Sequence, residues 1–275
     1  MKILVTGANG YLGKGITTSL LDHGHEVIAT DFVVDSVDVR AKRVKVNLFE
    51  VEEPYTFFEE PDAILHLAWR DGFIHNSERH ILDFPEHFRF LKKLIEAGVS
   101  QVTVLGSMHE IGFFEGSINE DTPTNPQSLY GISKNSLRMA IELLCQDKVV
   151  FQWLRGFYIV GNSTTGSSIF SKLVQAADNG DKVFPFTSGM NQYDFLDYKD
   201  FCYYISETVS QKEVSGIINI CSGRPEKLSE RVERFIIENG LDIRLQYGVY
   251  PDRPYDSKAL WGNNTKIQKI LQSRK

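Results

Sequence analysis

The segment SLYGISKNS places a phenol and an amine where they could act on one substrate atom. Tyr130 and Lys134 are four residues apart, so on a helix both side chains project from one face. A tyrosine with its ordinary pKa of about 10 exchanges protons poorly near neutral pH, and a nearby ammonium group would lower that pKa. Ser107 ends the upstream segment VTVLGS, and its hydroxyl could orient a substrate carbonyl beside Tyr130. Together these residues predict acid–base catalysis at a carbonyl group, whereas Tyr130 and Lys134 alone could be an ordinary surface pair.

The first fifteen residues, MKILVTGANGYLGKG, have the pattern of a strand, a glycine turn and a helix. Gly7 would permit the tight turn, Gly10 would let a ligand approach the backbone, and Gly13 would let the helix pack closely on its strand. The N-terminus of such a helix carries partial positive charge and outward N–H groups, which suit a pyrophosphate. The pattern therefore predicts a dinucleotide-binding turn.

The kind of dinucleotide is indicated by Asp31, which follows Gly13 by eighteen residues at the end of the second predicted strand. A carboxylate there accepts hydrogen bonds from a ribose diol and repels a 2′-phosphate. This favours NAD. Arg40, Lys42 and Arg43 lie nearby in sequence and keep NADP open as an alternative.

Apolar runs alternate with amphipathic stretches over the first 155 residues, which predicts an α/β fold with a doubly wound parallel sheet of the Rossmann type. Long helices are expected over 77–97, with a break or bend at Pro85, and over 128–145. Residues 156–275 are less regular. We expect them to form a smaller C-terminal α/β lobe, mainly substrate-binding and partly threaded back into the sheet.

Composition excludes several other classes of protein. The 275 residues carry a net charge of −6 without a block of lysine and arginine, which argues against a nucleic-acid partner. No apolar run approaches the roughly 20 residues of a membrane span, and the seven histidines show no metal-binding spacing. Because Lys2 is followed at once by a predicted core strand, no signal peptide is expected. Three scattered cysteines suggest reduced thiols, so a cytoplasmic location is expected.

Several motifs along nearly the whole chain resemble those of extended short-chain dehydrogenases/reductases, in their NAD-dependent epimerase/dehydratase branch that acts on nucleotide sugars. TGANGYLG is similar to TGxxGxxG, HLAW to HLAA, and YGISK to YxxxK. LRGFYIVG resembles LRxFNVYGP, YDFLDYKD resembles RDFVYVDD, and INICSGRP resembles FNVGSG. Near the end, RPYDSKALWGNNTKI resembles RPGD followed by D-x-S/T-K-I.

The resemblance implies a role for each matching residue. Tyr130 would be the acid/base, Lys134 its electrostatic partner and a ligand of the nicotinamide ribose, and Ser107 the carbonyl binder. The implied cofactor-binding residues are Gly7, Asn9, Gly10, Tyr11, Leu12, Gly13, Asp31, Asn47, Leu48, Leu67, Ala68, Trp69, Tyr130 and Lys134. The implied substrate-binding residues are Met108, His109 and Arg253.

Some of these assignments have alternatives. Asn47 stands where the family often has an aspartate that contacts adenine, so an amide there would change the donor and acceptor roles. Arg253 is expected at the substrate pyrophosphate, although a structural salt bridge would also explain it. His109 could bind substrate or cap a loop.

At two positions the sequence departs from the family's motifs, and these departures narrow the range of expected reactions. Ser107-Met108-His109 stands where 4,6-dehydratases have Thr-Asp-Glu, and because Met108 cannot transfer a proton, an ordinary dehydratase is not expected. His87 stands at the position of a family asparagine in the helix over 77–97, so the family's usual proton-relay water is not carried over.

The expected function is reduction of a keto group, with C4 as the expected position, on a nucleotide-linked deoxysugar by NAD(P)H. A nucleotide-sugar 4-epimerase would use the same residues, and a non-catalytic NAD(P)-binding sensor would keep the fold without the chemistry. The helices over 77–97 and 128–145 carry apolar residues beyond one stripe, for which core packing is the simplest explanation. In the resembled family they build a four-helix bundle between two subunits, so a homodimer is expected.

Overall fold

A computed structural model describes residues 1–146, 148–164, 166, 168–252 and 257–273. Its strands are β1 (Lys2–Thr6), β2 (Glu26–Asp31), β3 (Lys42–Lys45), β4 (Ala63–His66), β5 (Gln101–Ser107), β6 (Gly116–Ile118), β7 (Val150–Gly156), β8 (Tyr158–Val160), β9 (Val183–Pro185), β10 (Gln192–Asp197), β11 (Gly216–Ile220), β12 (Pro225–Lys227), β13 (Arg244–Gln246) and β14 (Ala259–Gly262). Its helices are α1 (Tyr11–Asp22), α2 (Pro54–Phe57), α3 (Arg79–Leu82), α4 (Phe84–Ala97), α5 (Leu129–Cys145), α6 (Ile169–Asp178), α7 (Tyr198–Val209), α8 (Leu228–Glu238) and α9 (Thr265–Gln272).

The larger sheet is parallel throughout and has the strand order β11-β7-β5-β4-β1-β2-β3. Leu4 in the central strand β1 lies opposite Ile28 on one side and Ile64 on the other. One face packs against α1, α7 and α9, and the other packs against α4 and α5. Because both faces of the sheet are buried, its strands appear in the sequence as continuous apolar runs. The predicted doubly wound fold is confirmed.

The helix expected over 77–97 is divided into α3 and α4 at Asp83. Pro85 lies in the first turn of α4. Proline is tolerated there because its missing N–H would have no partner within the helix. The expected break at Pro85 therefore becomes the start of a new helix.

The second half of the chain, together with β6 from the first half, forms a smaller mixed sheet with the order β12-β10-β14-β6, to which β8 adds by pairing with β10. It also returns β11 to the larger sheet, where Ile218 lies opposite Leu154 of β7. The placement of a domain boundary at residue 155 stays a prediction.

The three cysteines, Cys145, Cys202 and Cys221, are buried free thiols. Among the helices in the described ranges, none has both the length and the apolar character that a membrane span needs.

Candidate active site

The glycine turn joins β1 to α1 at the carboxyl edge of the larger sheet, where the strand order reverses between β1 and β4. Gly7 has a φ of +68°, and a Cβ there would lie 2.7 Å from the backbone nitrogen of Ala68. A Cβ on Gly13 would lie 2.2 Å from the carbonyl oxygen of Gly7. Only glycine fits at these two positions, which agrees with the predicted reasons for them.

A groove opens above this turn, and residues that line it lie on both sides of the point where the strand order reverses. Its lining residues are Gly7, Gly10, Asp31, Phe32, Val46, Leu48, Phe49, Leu67, Ala68, Trp69, Arg70 and His87. The predicted cofactor residues that do not line it are Asn9, Tyr11, Leu12, Gly13, Asn47, Tyr130 and Lys134. The Asn47 side chain instead caps a short 3₁₀ turn, accepting a hydrogen bond from Phe49 N at 3.3 Å and donating one to Glu50 at 2.8 Å.

The Asp31 carboxylate is fixed at the edge of the groove by two backbone amides. One oxygen accepts a hydrogen bond from Asn9 N at 3.0 Å, and the other accepts one from Phe32 N at 2.8 Å. A carboxylate oxygen has more than one lone pair, so both oxygens keep capacity for a ribose diol.

Two of the three cations that kept NADP open are engaged with acidic residues. Arg40 pairs with Asp38 and Asp22, each at 2.7 Å, and Lys42 pairs with Glu59. Because these two charges are already neutralised, neither of them offsets the repulsion of a 2′-phosphate by Asp31.

The Ser107, Tyr130 and Lys134 side chains meet at the carboxyl end of β5. Ser107 is the last residue of that strand, and Tyr130 and Lys134 lie one turn apart on α5, whose N-cap is Ser128. Ser107 forms a side-chain hydrogen bond with Tyr130. The Lys134 Nζ lies 6.0 Å from the centre of the Tyr130 ring and donates a 2.7 Å hydrogen bond to the Leu105 carbonyl oxygen.

Burial shapes the acidity of both groups on α5. It raises the pKa of Tyr130 to about 12, and the hydrogen bond with Ser107 opposes that rise only in part. It also lowers the pKa of Lys134 to about 7, against the attraction of the Glu110 charge. The sequence predicted a lowered tyrosine pKa. The structure differs because removal from water disfavours the phenolate more than neighbouring groups stabilise it.

Trp69, which stands where the resembled motif has alanine, lies at the centre of the site. The Lys134 ammonium sits 3.9 Å above the centre of its ring, and its indole N–H donates to His80 Nδ1 at 3.0 Å. Its ring also stacks on His87, with centroids 4.5 Å apart. Trp69 thus supports Lys134 through a cation–π contact.

Five of the seven histidines gather around this site, which sequence spacing did not indicate. Two of them form a buried chain, in which His66 bonds Thr6 at 2.8 Å and His87 at 2.9 Å. Burial lowers the pKa of His66 to about 3 and that of His87 well below its ordinary value, so both rings are neutral at pH 7. Within the described ranges, no group of His, Cys, Asp or Glu side chains is arranged to hold a metal ion.

Glu110 is a second residue that the sequence did not single out. It is completely buried, and one carboxylate oxygen accepts hydrogen bonds from Ser107 N at 2.7 Å and from the Trp153 indole at 2.8 Å. The other oxygen faces the buried Arg155 guanidinium at 3.6 Å. Burial raises the pKa of Glu110. This carboxylate fixes the backbone that carries Ser107 and does not reach the substrate side.

The predicted substrate residues have different surroundings. Met108 is 9% exposed and packs among apolar residues that include Ile118 and Phe157, whereas His109 is half-buried beside Tyr130. Arg253 lies outside the described residues. The substrate roles of all three stay predictions.

Comparison with known proteins places this geometry in a family. The chain is 40% identical to a dTDP-6-deoxy-L-talose 4-dehydrogenase (NAD(+)) of Aggregatibacter actinomycetemcomitans, over 95% of this chain and 99% of that protein. Its fold is similar to a UDP-N-acetylglucosamine 4-epimerase from Methanobrevibacter ruminantium M1 in complex with UDP-N-acetylmuramic acid (TM-score 0.85, 18% identity, 98% of this chain and 91% of the other). It is also similar to a UDP-glucuronic acid 4-epimerase from Bacillus cereus in complex with UDP-glucuronic acid and NAD (TM-score 0.80, 19% identity, 99% and 93%). Residues 3–221 match the NAD dependent epimerase/dehydratase family, and the chain therefore belongs to that family.

Proposed function

We propose that this protein is an NAD-dependent oxidoreductase that interconverts a hydroxyl group and a keto group at C4 of a nucleotide-linked 6-deoxyhexose. The observation that carries the proposal is the 40% identity, along nearly the full length of both chains, to a dTDP-6-deoxy-L-talose 4-dehydrogenase. The 4-keto reduction expected from the sequence is the reverse of the reaction in that name. One set of acid–base groups serves both directions, so the two descriptions concern the same site.

The residues of the groove fit a dinucleotide. Side chains at Gly7 and Gly13 would fill the turn, and the Asp31 carboxylate faces the position of a ribose diol. When bound there, the oxidised cofactor supplies a hydride acceptor and the reduced cofactor a hydride donor.

In reduction, the Tyr130 phenol donates its proton to O4 of the sugar, and Ser107 orients the carbonyl by a hydrogen bond. A tyrosine with a pKa of about 12 is fully protonated at pH 7, so the acid form is available. Lys134, when protonated, stabilises the phenolate that remains. In oxidation, the Tyr130 phenol must first lose its proton, and the resulting phenolate then accepts the proton of the C4 hydroxyl.

The decisive assay supplies dTDP-6-deoxy-L-talose with NAD⁺, and separately the corresponding 4-keto sugar with NADH, while NADH absorbance is followed. We expect stoichiometric hydride transfer in both directions. Tyr130→Phe should lower the rate by about 10²–10⁴-fold, and the same change at Tyr203, which is exposed on α7, should leave it unchanged. Absence of hydride transfer by the wild-type protein would refute the proposal.

The two alternative functions predict other outcomes of that assay. A 4-epimerase would convert the sugar without net production or use of NADH and would retain its cofactor through dialysis. A cofactor sensor would keep its biological activity in the Tyr130→Phe variant.

We also propose that the protein is a homodimer that pairs α4 and α5 with their copies. Three exposed apolar side chains, Ile132, Met139 and Leu143, follow the outer face of α5. Leu143→Glu should convert the dimer to a monomer in light scattering. Ile237→Glu, at an equally apolar exposed site on α8, should not. We retain the cytoplasm as the expected location because the three cysteines are free thiols.

A further inference from the structure

We propose that His75 and His109 together bind the C3 hydroxyl of the substrate sugar and thereby select sugars that carry it. The proposal rests on the proposed function, which places the reacting oxygen at C4. It concerns two imidazoles that face the catalytic tyrosine and are not needed for hydride transfer itself.

Both rings lie directly against Tyr130. His75 stacks on the phenol ring with centroids 5.5 Å apart and an interplanar angle of 12°, and His109 meets it edge-on at 6.1 Å. The two imidazoles lie 4.4 Å apart at 60° to each other. They therefore form one wall beside the phenol.

The backbone holds this wall in register with the catalytic groups. The His75 carbonyl oxygen accepts a 2.9 Å hydrogen bond from Tyr130 N, which ties the loop after β4 to the first turn of α5. His109 N donates a 3.2 Å hydrogen bond to Ser107 Oγ, and Ser107 in turn bonds Tyr130. Each histidine is thus joined by one backbone hydrogen bond to a residue, Tyr130 or Ser107, that would contact the reacting oxygen.

The ring nitrogens of the pair remain available to a ligand. His66, His80 and His87 use ring nitrogens in hydrogen bonds within the protein, whereas in the described part of the chain the rings of His75 and His109 make none. Burial lowers the pKa of His109 to about 4 and lowers that of His75 as well. Each neutral imidazole offers one N–H donor and one nitrogen acceptor, which matches a hydroxyl group that both donates and accepts.

The chemistry of the sugar identifies which hydroxyl this is. Tyr130 must reach O4, and C4 has two neighbours in the ring, C3 and C5. In a 6-deoxyhexose C5 carries a methyl group, which cannot form these hydrogen bonds. The C3 hydroxyl is therefore the polar group nearest to the reacting oxygen and to the imidazole pair.

The test compares the parent dTDP-linked 4-keto-6-deoxyhexose with its 3-deoxy analogue, using NADH and the full-length protein. The wild-type enzyme should prefer the parent by at least about 100-fold in kcat/KM, because the analogue leaves buried polar groups unpaired. His75→Phe keeps an aromatic ring against Tyr130 and removes both nitrogens. It should lower kcat/KM for the parent at least about 10-fold, mainly through KM, and leave the analogue unchanged.

Controls separate this role from a structural one. His109→Phe should act in the same direction, whereas the same change at His25, directly before β2, should leave both substrates and NADH binding unaffected. A wild-type enzyme that uses both substrates equally well would overturn the proposal, even if the variants failed to fold. So would a His75→Phe variant that kept the wild-type preference. Either result would leave the proposed 4-oxidoreductase function intact, whereas a wild-type enzyme inactive on both sugars would refute that function as well.

Discussion

Replacing Lys134 with methionine should stabilise the fold at acidic pH while it removes activity. The side chain is 2% exposed, and burial lowers its pKa from 10.5 to about 7. Because each pKa unit corresponds to about 1.4 kcal/mol, the buried charge destabilises the fold by about 5 kcal/mol at pH 5. Between pH 7 and 10.5 the unfolded chain binds the extra proton, so wild-type stability rises with pH, and by pH 10 the penalty is about 1 kcal/mol.

The lysine also makes contacts that methionine would lose. Loss of its hydrogen bond would leave the buried Leu105 carbonyl oxygen without a donor, which costs about 1–3 kcal/mol. Loss of the cation–π contact with Trp69 would cost about 1 kcal/mol. The cation–π loss applies only where the folded lysine is charged, so Lys134→Met should gain about 1–3 kcal/mol at pH 5 and lose about 0–2 kcal/mol at pH 10. The change of sign falls near pH 9.

Urea unfolding of the two proteins at pH 5, 7 and 10 measures this difference directly. Lys172→Met on α6, where the side chain is exposed, serves as the control for the loss of a lysine as such. A free-energy difference between wild type and Lys134→Met that stays constant with pH, or a variant less stable at pH 5, would refute the assignment of a strained buried charge at Lys134.

Three further predictions concern the groove and the support of Ser107. Gly13→Ala places a Cβ 2.2 Å from the Gly7 carbonyl oxygen, so thermal unfolding should show a loss of about 1–3 kcal/mol in stability. Titration should also show weaker cofactor binding. Gly72→Ala, whose Cβ meets no atom within 4 Å, is the control. Asp31→Asn removes the charge that repels a 2′-phosphate, so the NAD/NADP ratio of kcat/KM should fall at least about 10-fold. An unchanged ratio would mean that Asp31 does not discriminate between the two cofactors. Glu110→Gln leaves Arg155 as an uncompensated buried cation and should cost about 3–5 kcal/mol in urea unfolding. Adding Arg155→Met should restore part of that stability, and a purely additive double variant would contradict the pairing.

The features that were predictable from sequence depend on short segments. The glycine turn, the continuous apolar strands and the one-turn spacing of Tyr130 and Lys134 are each set by residues within a few positions of one another. Local backbone geometry determines such patterns, so the parallel sheet and the convergence at the end of β5 could be anticipated.

The features that were missed depend on distant parts of the chain. The histidines come from β4, the following loop, α3, α4 and the turn after β5, and only the fold brings them together. The pKa of Tyr130 was predicted to move in the wrong direction because spacing shows that Lys134 is near but does not show how much water is removed. The contact of Asn47 with the adenine stays a prediction, and its motif position did not show that its side chain also caps a local turn.

The return of β11 to the larger sheet means that the N-terminal half cannot complete its own architecture during synthesis. Until residue 220 has emerged from the ribosome, the outer edge of β7 has no strand to pair with. Gln101 and Gln152 would also lack the carbonyl oxygens of Thr208, Val209 and Val214 that they bind in the finished fold. A nascent chain halted near residue 155 would expose an apolar strand edge that invites association with other chains. Late translation thus closes a sheet whose strand β1 is synthesised before its six partners.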